Sequence, residues 1–503
     1  MFFNKRLRFT PFYWVLLSAI SSNSFADNRT DIKEKYEVEN RTDIREREHP
    51  KSVSSRILKY DLEQSRGDYI QQFLTPSSHV IESCVVPKHF PEMNYRDKDR
   101  ENEVMLCGLD FYGQSPSQNI PLESVAICPK NRSTNPAVEV YKIKENTLSV
   151  SDYQAKYCRV PSKQRNKKVA KRVAKFKQSI SCSYTPSILG YYHVSRMLGN
   201  IANVPVAVVR TMSLKEHRKI AKLGYQTSKK YKQRIQAITW KNFIEVENNI
   251  DNKKNKLGRK YSNRIFTTDN QQIYGAMQKD VKNEEKYKQF YIQNKKNSYM
   301  RLSIQPFVKK LTREHLNKKL SINELYQLKD YSDMLVLDYL LSQEDRFGNM
   351  AYKDYYYIAN QSTNKVDRYR ISKNVKEKHT PKQYQDAGYL KIRRLVLKDN
   401  DCGVNRFNRT QKSKIMSKIR HLNIHTYQKL LRLESHVKTK LMEKFFKQEL
   451  LFSDRDWYKF SQNTQQLAQT LKNNCRSGKL SLDLNPDRKL LNLEGLDSKE
   501  YCS

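Results

Sequence analysis

One short segment, Leu335 to Met350, restricts the fold of this chain more than any other. An apolar run typical of a buried helix ends there in Asp-Arg-Phe-Gly-Asn, residues 345–349, and a strand-like aromatic run follows over 351–358. Glycine often ends a helix, and runs of tyrosine favour a strand. The chain therefore holds Asp345 and Asn349 together on a fixed turn between a helix and a strand.

A second segment supplies further carboxylates, because an apolar strand pattern over 394–398 is followed directly by Asp399 and Asp401. Phosphoryl transfer uses such groups: one Asp orients or deprotonates the attacking hydroxyl, while an Asn and another Asp hold the metal on the nucleotide phosphates. We assign the first role to Asp345, and the metal to Asn349 and Asp399. Asp401 could replace Asp399, although the strand register favours Asp399, directly at the strand end.

In this order the motifs resemble the atypical kinases related to the Golgi secretory-pathway kinases and, more distantly, the phosphatidylinositol kinases. A helix pattern over 190–199 and a strand pattern over 204–210 are similar to that family's regulatory helix and the strand after it. The resemblance implies an α+β, two-lobed atypical protein-kinase-like fold with a predominantly helical C-lobe. It also implies ATP and either Mg²⁺ or Mn²⁺ as cofactors.

Two positions are open for the lysine that would contact the nucleotide. Residues 173–177 alternate as a strand does, so either Lys175 or Lys177 could face the phosphates, and we favour Lys175. No glycine-rich loop stands out before this strand, although Gly108 and Gly113 could cap phosphates.

Departures from the family pattern keep a second interpretation open. Asp345 and Asn349 are four positions apart, whereas the equivalent protein-kinase residues are about five apart. The upstream helix has Ser-Ile-Leu at 187–189, where the family places the Glu that pairs with the nucleotide Lys. Glu284 or Glu285 could replace that acid; without a partner for the Lys, the chain could be a catalytically silent pseudokinase.

The first 26 residues have the pattern of a secretory signal peptide, with basic residues, a short apolar run and small residues before Asp27. The apolar run is much shorter than the about 20 residues that span a bilayer, so we expect no transmembrane span. The sequence therefore predicts an exported protein, secreted or periplasmic. Because a periplasm contains little ATP, delivery to a host cell or its secretory compartments suits a kinase better.

Eight cysteines follow the predicted signal peptide, five before the catalytic region and three after it. In an oxidising compartment they are expected to form disulfides. Because five and three are both odd, full pairing requires at least one bridge between the two halves, and Cys402 would be a useful anchor for a metal loop. No C-x-x-C or Cys/His pair at zinc spacing occurs, so a zinc site is not indicated.

The net charge is extreme, since 94 basic minus 53 acidic residues gives +41. Such a field attracts nucleotides, nucleic acid, acidic protein and polyanionic glycans without selecting among them. A third interpretation is therefore a basic exported protein that binds an acidic protein or another polyanion without enzymatic activity. A serine hydrolase is excluded because no G-x-S-x-G occurs. A thiol protease is excluded because cysteines that are oxidised to disulfides cannot serve as nucleophiles.

Composition and pattern divide the chain into five parts. They are a signal peptide over 1–26, a flexible charged arm over 27–75, a disulfide-containing N-lobe over 76–215, a helical insertion with a hairpin over 216–320, and a C-lobe with the catalytic and metal-binding loops over 321–503. The arm is expected to be flexible because it is highly charged and has few apolar residues.

Overall fold

The fold was analysed in a computed structural model, which describes residues 59–62, 67–76, 78–113, 122–131, 135–287, 306–316, 319–346, 350–370, 388–493 and 498–502. The predicted α+β class is confirmed, since strands dominate the first half of these ranges and helices the second. The predicted signal peptide, most of the charged arm and Asn349 lie outside the described residues.

The first half is built on one large antiparallel sheet. Its strands are β1 (Tyr69–Leu74), β2 (Ile81–Val86), β5 (Ala126–Pro129), β6 (Val138–Ile143), β7 (Ala170–Lys177), β8 (Ala207–Ser213) and β9 (Gln272–Lys279), with β3 (Leu109–Asp110) and β4 (Glu123–Ser124) forming a separate parallel pair. The order in the sheet is β1-β2-β8-β9-β7-β6-β5. The segment predicted as a helical insertion, 216–320, thus contributes β9 to the middle of this sheet.

Gly275 explains how β9 fits between β7 and β8. A Cβ at this position would collide with the carbonyl oxygen of Lys177 on β7. Only glycine therefore allows the two strands to lie this close, and the close approach fixes the position of the Lys177 backbone.

In the described ranges, six α-helices accompany the large sheet. They are α1 (Asp97–Cys107), α2 (Val150–Tyr157), α3 (Thr185–Met197), α4 (Leu214–Lys230), α5 (Arg234–Asn248) and α6 (Lys256–Ile265). Helices α4 and α5 pack closely because Gly224 leaves room for the ring of Trp240, which would lie 2.6 Å from a Cβ there.

The second half combines a small sheet with helices. The elements are β10 (Glu285–Lys286), α7 (Pro306–Leu311), α8 (Ile322–Leu340), β11 (Met350–Asn360), β12 (Lys365–Arg370), β13 (Leu390–Leu397), α9 (Arg409–Lys412), α10 (Ile415–Lys418), α11 (Ile424–His436), α12 (Lys440–Gln448), α13 (Asp454–Arg476) and α14 (Pro486–Leu490). Strand β11 pairs with β10, β12 and β13, and β13 packs on α8. The C-terminal ends of α8 and β13 lie together, since the residues that follow them are hydrogen-bonded to each other.

Helix α3 joins the two halves, and every one of its residues is buried. Tyr191 donates a hydrogen bond to Asp338 on α8 (2.7 Å), and Arg196 donates to both carboxylate oxygens of Asp99 on α1 (2.9 and 3.0 Å). Gly190 faces Phe452, whose ring would lie 3.0 Å from a Cβ at that position. The hydrophobic core is therefore continuous from the sheet to the C-terminal helices.

Helix α8 begins with a capping box. Ser321 Oγ accepts a hydrogen bond from Glu324 N, and the Glu324 carboxylate accepts one from Ser321 N. We expect Ser321→Ala to lower the free energy of unfolding by about 1 kcal/mol, the usual value of an N-cap. Urea unfolding would measure it. Ser461→Ala, in the interior of α13, is the control and should change stability little; equal losses in both variants would contradict the cap assignment.

All eight cysteines form disulfides, as predicted. The pairs are Cys84–Cys107, Cys128–Cys158, Cys182–Cys402 and Cys475–Cys502. The expected bridge between the two halves is Cys182–Cys402, which spans 220 residues. Among the described helices, none combines the length and apolar character needed to cross a membrane.

Candidate functional site

The ends of β7 and β13 meet at a buried ion-pair cluster. Lys177, the last residue of β7, is 2% exposed, and its Nζ lies 3.2 Å from Asp399 Oδ1 and 3.1 Å from Asp401 Oδ2. Both carboxylates lie on the loop that leaves β13. The cation and the two acids predicted from separate motifs are thus brought into direct contact.

Lys175 lies on the same face of β7, since side chains two positions apart on a strand point the same way. Its Nζ is 3.8 Å from Asp280 Oδ1, just after β9. Lys177, and not the favoured Lys175, therefore forms the ion pairs with the predicted metal-binding aspartates.

Both aspartates are held ionised. Burial opposes the charge of Asp399, but Lys177, Lys175, Lys130 and Lys398 outweigh it and hold the pKa of its carboxyl well below the usual value. Burial likewise opposes the charge of Asp401, yet chiefly Lys177 lowers its pKa. Ionised carboxylates are the oxygen ligands that Mg²⁺ and Mn²⁺ prefer, so the residues present fit such an ion.

The backbone of Asp399 is itself unusual. Its φ is 56°, in the left-handed region that few non-glycine residues adopt. Strained conformations of this kind cluster at binding and catalytic sites, where the surrounding structure enforces them.

Two further lysines surround this cluster and were not predicted. Burial, with Lys177 and Lys175 nearby, lowers the pKa of Lys130 to about 7. Burial, with Lys175 nearby, lowers the pKa of Lys398 to about 8, although Asp399 opposes the shift. The position of Lys398 next to Asp399 was a usable sequence signal, whereas nothing in the local pattern marked Lys130.

Asn135, in the segment that connects β5 to β6, lies against the cluster. The sequence of this segment, 130–137, contains no glycine. Asn135 Nδ2 donates to Asp401 Oδ2 (3.4 Å), and Asn135 Oδ1 accepts from Cys182 N (3.4 Å). Of the glycines suggested as phosphate caps, Gly108 ends α1 and Gly113 follows β3.

The loop that carries Asp345 is hydrogen-bonded to the loop that carries Asp399. Glu344 N donates to Cys402 O (2.9 Å), and Val404 N donates to Leu341 O (2.5 Å). The backbone N–H of Asp345 donates to Gln343 Oε1 (3.1 Å). The two predicted catalytic loops are therefore neighbours, while Asn349 lies outside the described residues.

Arg346 fixes the distance between these two loops. Its buried guanidinium donates to both carboxylate oxygens of Asp338 on α8 and to Asn400 Oδ1 (2.9 Å), the residue between the two aspartates. A planar, bidentate contact of this kind holds its partners in one geometry.

The helix next to Lys177 supplies no acid, since α3 contains neither Asp nor Glu. Of the three residues 187–189 at which that acid was sought, Ser187 instead donates a hydrogen bond from its Oγ to Asn400 O (2.6 Å). The suggested replacements have other partners: Glu284 pairs with Lys398, beside the cluster, and Glu285 accepts a hydrogen bond from Tyr352 (2.6 Å). Within the described residues, the carboxylates that pair with Lys177 are Asp399 and Asp401 themselves.

A buried charge network flanks the site. Glu139 on β6 pairs with Arg165 (2.6 Å) and Arg172 (2.7 Å), and Arg172 continues to Asp280 (2.9 Å). Burial opposes the charge of Glu139, but the two arginines lower the pKa of its carboxyl to about 2.

We expect this network to make the fold sensitive to acid. Because the folded-state pKa of Glu139 lies below the value of 4.5 for the unfolded chain, its contribution is complete above pH 4.5 and is lost as the pH falls towards 2. At about 1.4 kcal/mol per pKa unit, the loss is about 3 kcal/mol. Urea unfolding of the parent and Glu139→Gln should give a stability difference that narrows over this range. Glu101→Gln, at an exposed site, is the control; a difference independent of pH would contradict the assignment.

Comparisons with known proteins give structural likeness only. No protein-family model matches the chain, and no curated protein matches it. Among solved structures, the Golgi casein kinase aligns with 12% identity and a TM-score of 0.39, covering 75% of this chain and 76% of that one. The same kinase with Mn/ADP bound aligns with 12% identity, a TM-score of 0.37 and the same coverage.

Proposed function

We propose that the chain is an ATP-dependent kinase that phosphorylates a protein or another hydroxyl-bearing substrate. The observation that carries the proposal is the contact of Lys177 with Asp399 and Asp401, between segments more than 220 residues apart. A buried lysine beside two ionised carboxylates offers a cation for nucleotide phosphates and oxygen ligands for a metal ion.

The lysines would bind the phosphates of ATP. Lys177 is the residue nearest the metal-binding aspartates, and Lys130, Lys175 and Lys398 add positive charge around it. Because the cluster is largely buried, each charge acts on a bound phosphate more strongly than it would in water.

Asp399 and Asp401 would hold Mg²⁺ or Mn²⁺, with Asn349 as a further ligand. Within the described ranges no group of three or more His, Cys, Asp or Glu side chains is placed to hold a metal. Two carboxylates nevertheless suffice where substrate phosphates supply further oxygens, as is common for Mg²⁺. The bound ion would neutralise charge on the phosphates during transfer.

Asp345 would act as the catalytic base. Its loop is tied to the Asp399 loop through Arg346 and Glu344, which supports a role for Asp345 beside the metal-binding aspartates. The base would accept the hydroxyl proton as the oxygen attacks the terminal phosphate.

We also propose that the chain is exported and that it binds an acidic partner. Four disulfides are typical of proteins that mature in an oxidising compartment. The net charge of +41 favours an acidic protein or another polyanion as partner.

The test is phosphate transfer from labelled ATP to a library of Ser, Thr and Tyr peptides, with Mg²⁺ or Mn²⁺ and with chelator as control. Metal-dependent transfer is expected. In parallel, ATP with metal should raise the unfolding temperature, because a ligand at about 100 times its Kd adds about 2.7 kcal/mol. If the chain shows no phosphate transfer and ATP with metal causes no thermal shift, the proposal is overturned.

A pseudokinase is the second candidate, favoured by the absence of Asp and Glu from α3. In that case Lys177 would remain paired with Asp399 and Asp401, and the cleft would bind nucleotide without turnover. A thermal shift with ATP but no transfer with either metal would select this candidate.

A further inference from the structure

Helices α4 and α5 pack against each other and are joined by a short turn in a strongly basic part of the chain. Residues 217–244, which include most of both helices, contain eight Lys or Arg residues and no Asp or Glu. Of the acids at the two ends of this run, Glu216 pairs with Lys219 (3.0 Å), and Glu245 Oε1 accepts a hydrogen bond from Asn255 (3.1 Å). Neither acid therefore neutralises the cations at the turn.

Four of these cations lie at the turn with exposed side chains: Lys229, Lys230, Lys232 and Arg234. The turn is a Schellman motif, since Gln233 N donates to Ser228 O (2.8 Å) and Lys232 N donates to Lys229 O (3.0 Å). Lys232 has a φ of 54°, at the position where glycine is the usual residue. The hydrogen bonds fix the backbone of the turn, which therefore presents the four cations together.

Two exposed isoleucines lie beside these cations at the start of α5. Ile235 is 56% exposed and Ile238 is 50% exposed. Residues three positions apart on a helix are neighbours on one face, so the two side chains form one apolar patch. A nucleic acid or an acidic protein in solution would bind the cations and gain little from the isoleucines. A bilayer interface, in contrast, attracts cations and also accepts apolar side chains.

We propose that the α4–α5 turn binds peripherally to a bilayer that contains anionic phospholipid. The four cations would contact the lipid headgroups, while Ile235 and Ile238 would enter the boundary with the acyl chains. Tyr231, whose ring lies 5.7 Å from Lys230 Nζ, would lie at the level of the headgroups, where its apolar ring and polar hydroxyl are both favoured. The site requires neither the proposed phosphate transfer nor the proposed acidic partner.

The test is co-sedimentation of the full chain with vesicles of two compositions. One is phosphatidylcholine alone, and the other has about three parts of phosphatidylcholine to one part of phosphatidylserine, an anionic lipid. Binding to the mixed vesicles should be at least about tenfold tighter than binding to the neutral ones. A DNA duplex and polyglutamate are the soluble polyanions for comparison. All variants are made in the same full chain, so contributions from other segments are common to them.

Charge reversal tests the cations of the turn. Lys229→Glu with Lys230→Glu should weaken binding to the mixed vesicles by at least about 30-fold, which corresponds to about 2 kcal/mol. Lys440→Glu with Lys444→Glu is the matched control, because it changes the net charge equally at two exposed lysines on α12. The control should retain most of the binding.

Removal of the apolar patch separates a bilayer from a soluble polyanion. Ile235→Gln with Ile238→Gln keeps the charge and should weaken vesicle binding by about tenfold, while binding of DNA or polyglutamate should not change. Leu74→Gln with Ile81→Gln is the control: these exposed side chains lie opposite each other on β1 and β2, far from α5 in sequence. The control should bind vesicles as the parent does.

Lys232→Gly distinguishes lost binding from lost folding. Glycine adopts the backbone conformation of Lys232 without strain, so the variant should be no less stable to urea than the parent. Loss of one cation should nevertheless weaken vesicle binding by about fivefold.

Three results would overturn the proposal. They are an absence of binding to the mixed vesicles in the parent, equal weakening by the turn and control lysine pairs, and vesicle binding that Ile235→Gln with Ile238→Gln leaves unchanged. The third result, together with loss of DNA or polyglutamate binding on charge reversal at the turn, would identify a site for soluble polyanions instead. Circular dichroism would verify that each variant is folded.

Discussion

Replacing Asp345 with Asn should lower kcat for phosphate transfer by about 10²–10⁴-fold, the usual contribution of a positioned general base. Asn is close to Asp in size but cannot accept the hydroxyl proton. Because Asp345 is not assigned to the metal, ATP with metal should still raise the unfolding temperature of this variant. Transfer rates and thermal shifts measured on the same preparation would show the separation.

Asp399→Asn should behave differently. It removes one of the two carboxylates beside Lys177, so the metal-dependent thermal shift with ATP should be lost together with transfer. Asp354→Asn is the matched control: it is the same substitution on β11, at a half-exposed carboxylate that contacts Lys391 and Arg393. Unchanged transfer in both Asp345→Asn and Asp399→Asn would remove the kinase assignment.

The second large effect is expected from the bridge Cys182–Cys402. It closes a loop of 220 residues, for which the chain-entropy model gives about 5 kcal/mol of stabilisation. Cys402 also follows Asp401 directly, and Cys182 N donates to Asn135 over the site. Cys182→Ala with Cys402→Ala should therefore lower the denaturation midpoint and also weaken ATP binding.

Cys475→Ala with Cys502→Ala is the control for that experiment. This pair lies between α13 and the C-terminal segment and closes only 27 residues, so about 3.5 kcal/mol should be lost. ATP binding, measured at a temperature where both double variants are folded, should be retained in the control alone. Equal weakening in both variants would mean that the first bridge has no particular role at the site.

The local elements around the site could be predicted because they depend on nearby residues. The patterns over 173–177 and 351–358 lie within β7 and β11, and the helix pattern over 190–199 largely coincides with α3. Strand alternation and helix periodicity are properties of a few consecutive side chains, and burial in the fold reinforced them here.

The position of β9 in the large sheet shows where local sequence patterns stop being sufficient to predict the fold. The hairpin expected within 216–320 is a local feature, but the place of β9 between β7 and β8 depends on pairing with residues about 60–100 positions away. Gly275, which permits the close contact with Lys177, has no local signature of that role.

The sequence by itself determined the order of the site segments and the need for a disulfide between the halves, since five and three cysteines cannot pair separately. Only the tertiary structure decided between Lys175 and Lys177 and identified Lys130. Residues two apart on a strand share a face, so alternation cannot choose between them. The choice depends on where the Asp399 loop lies, and that loop is 222 residues from Lys177 along the chain.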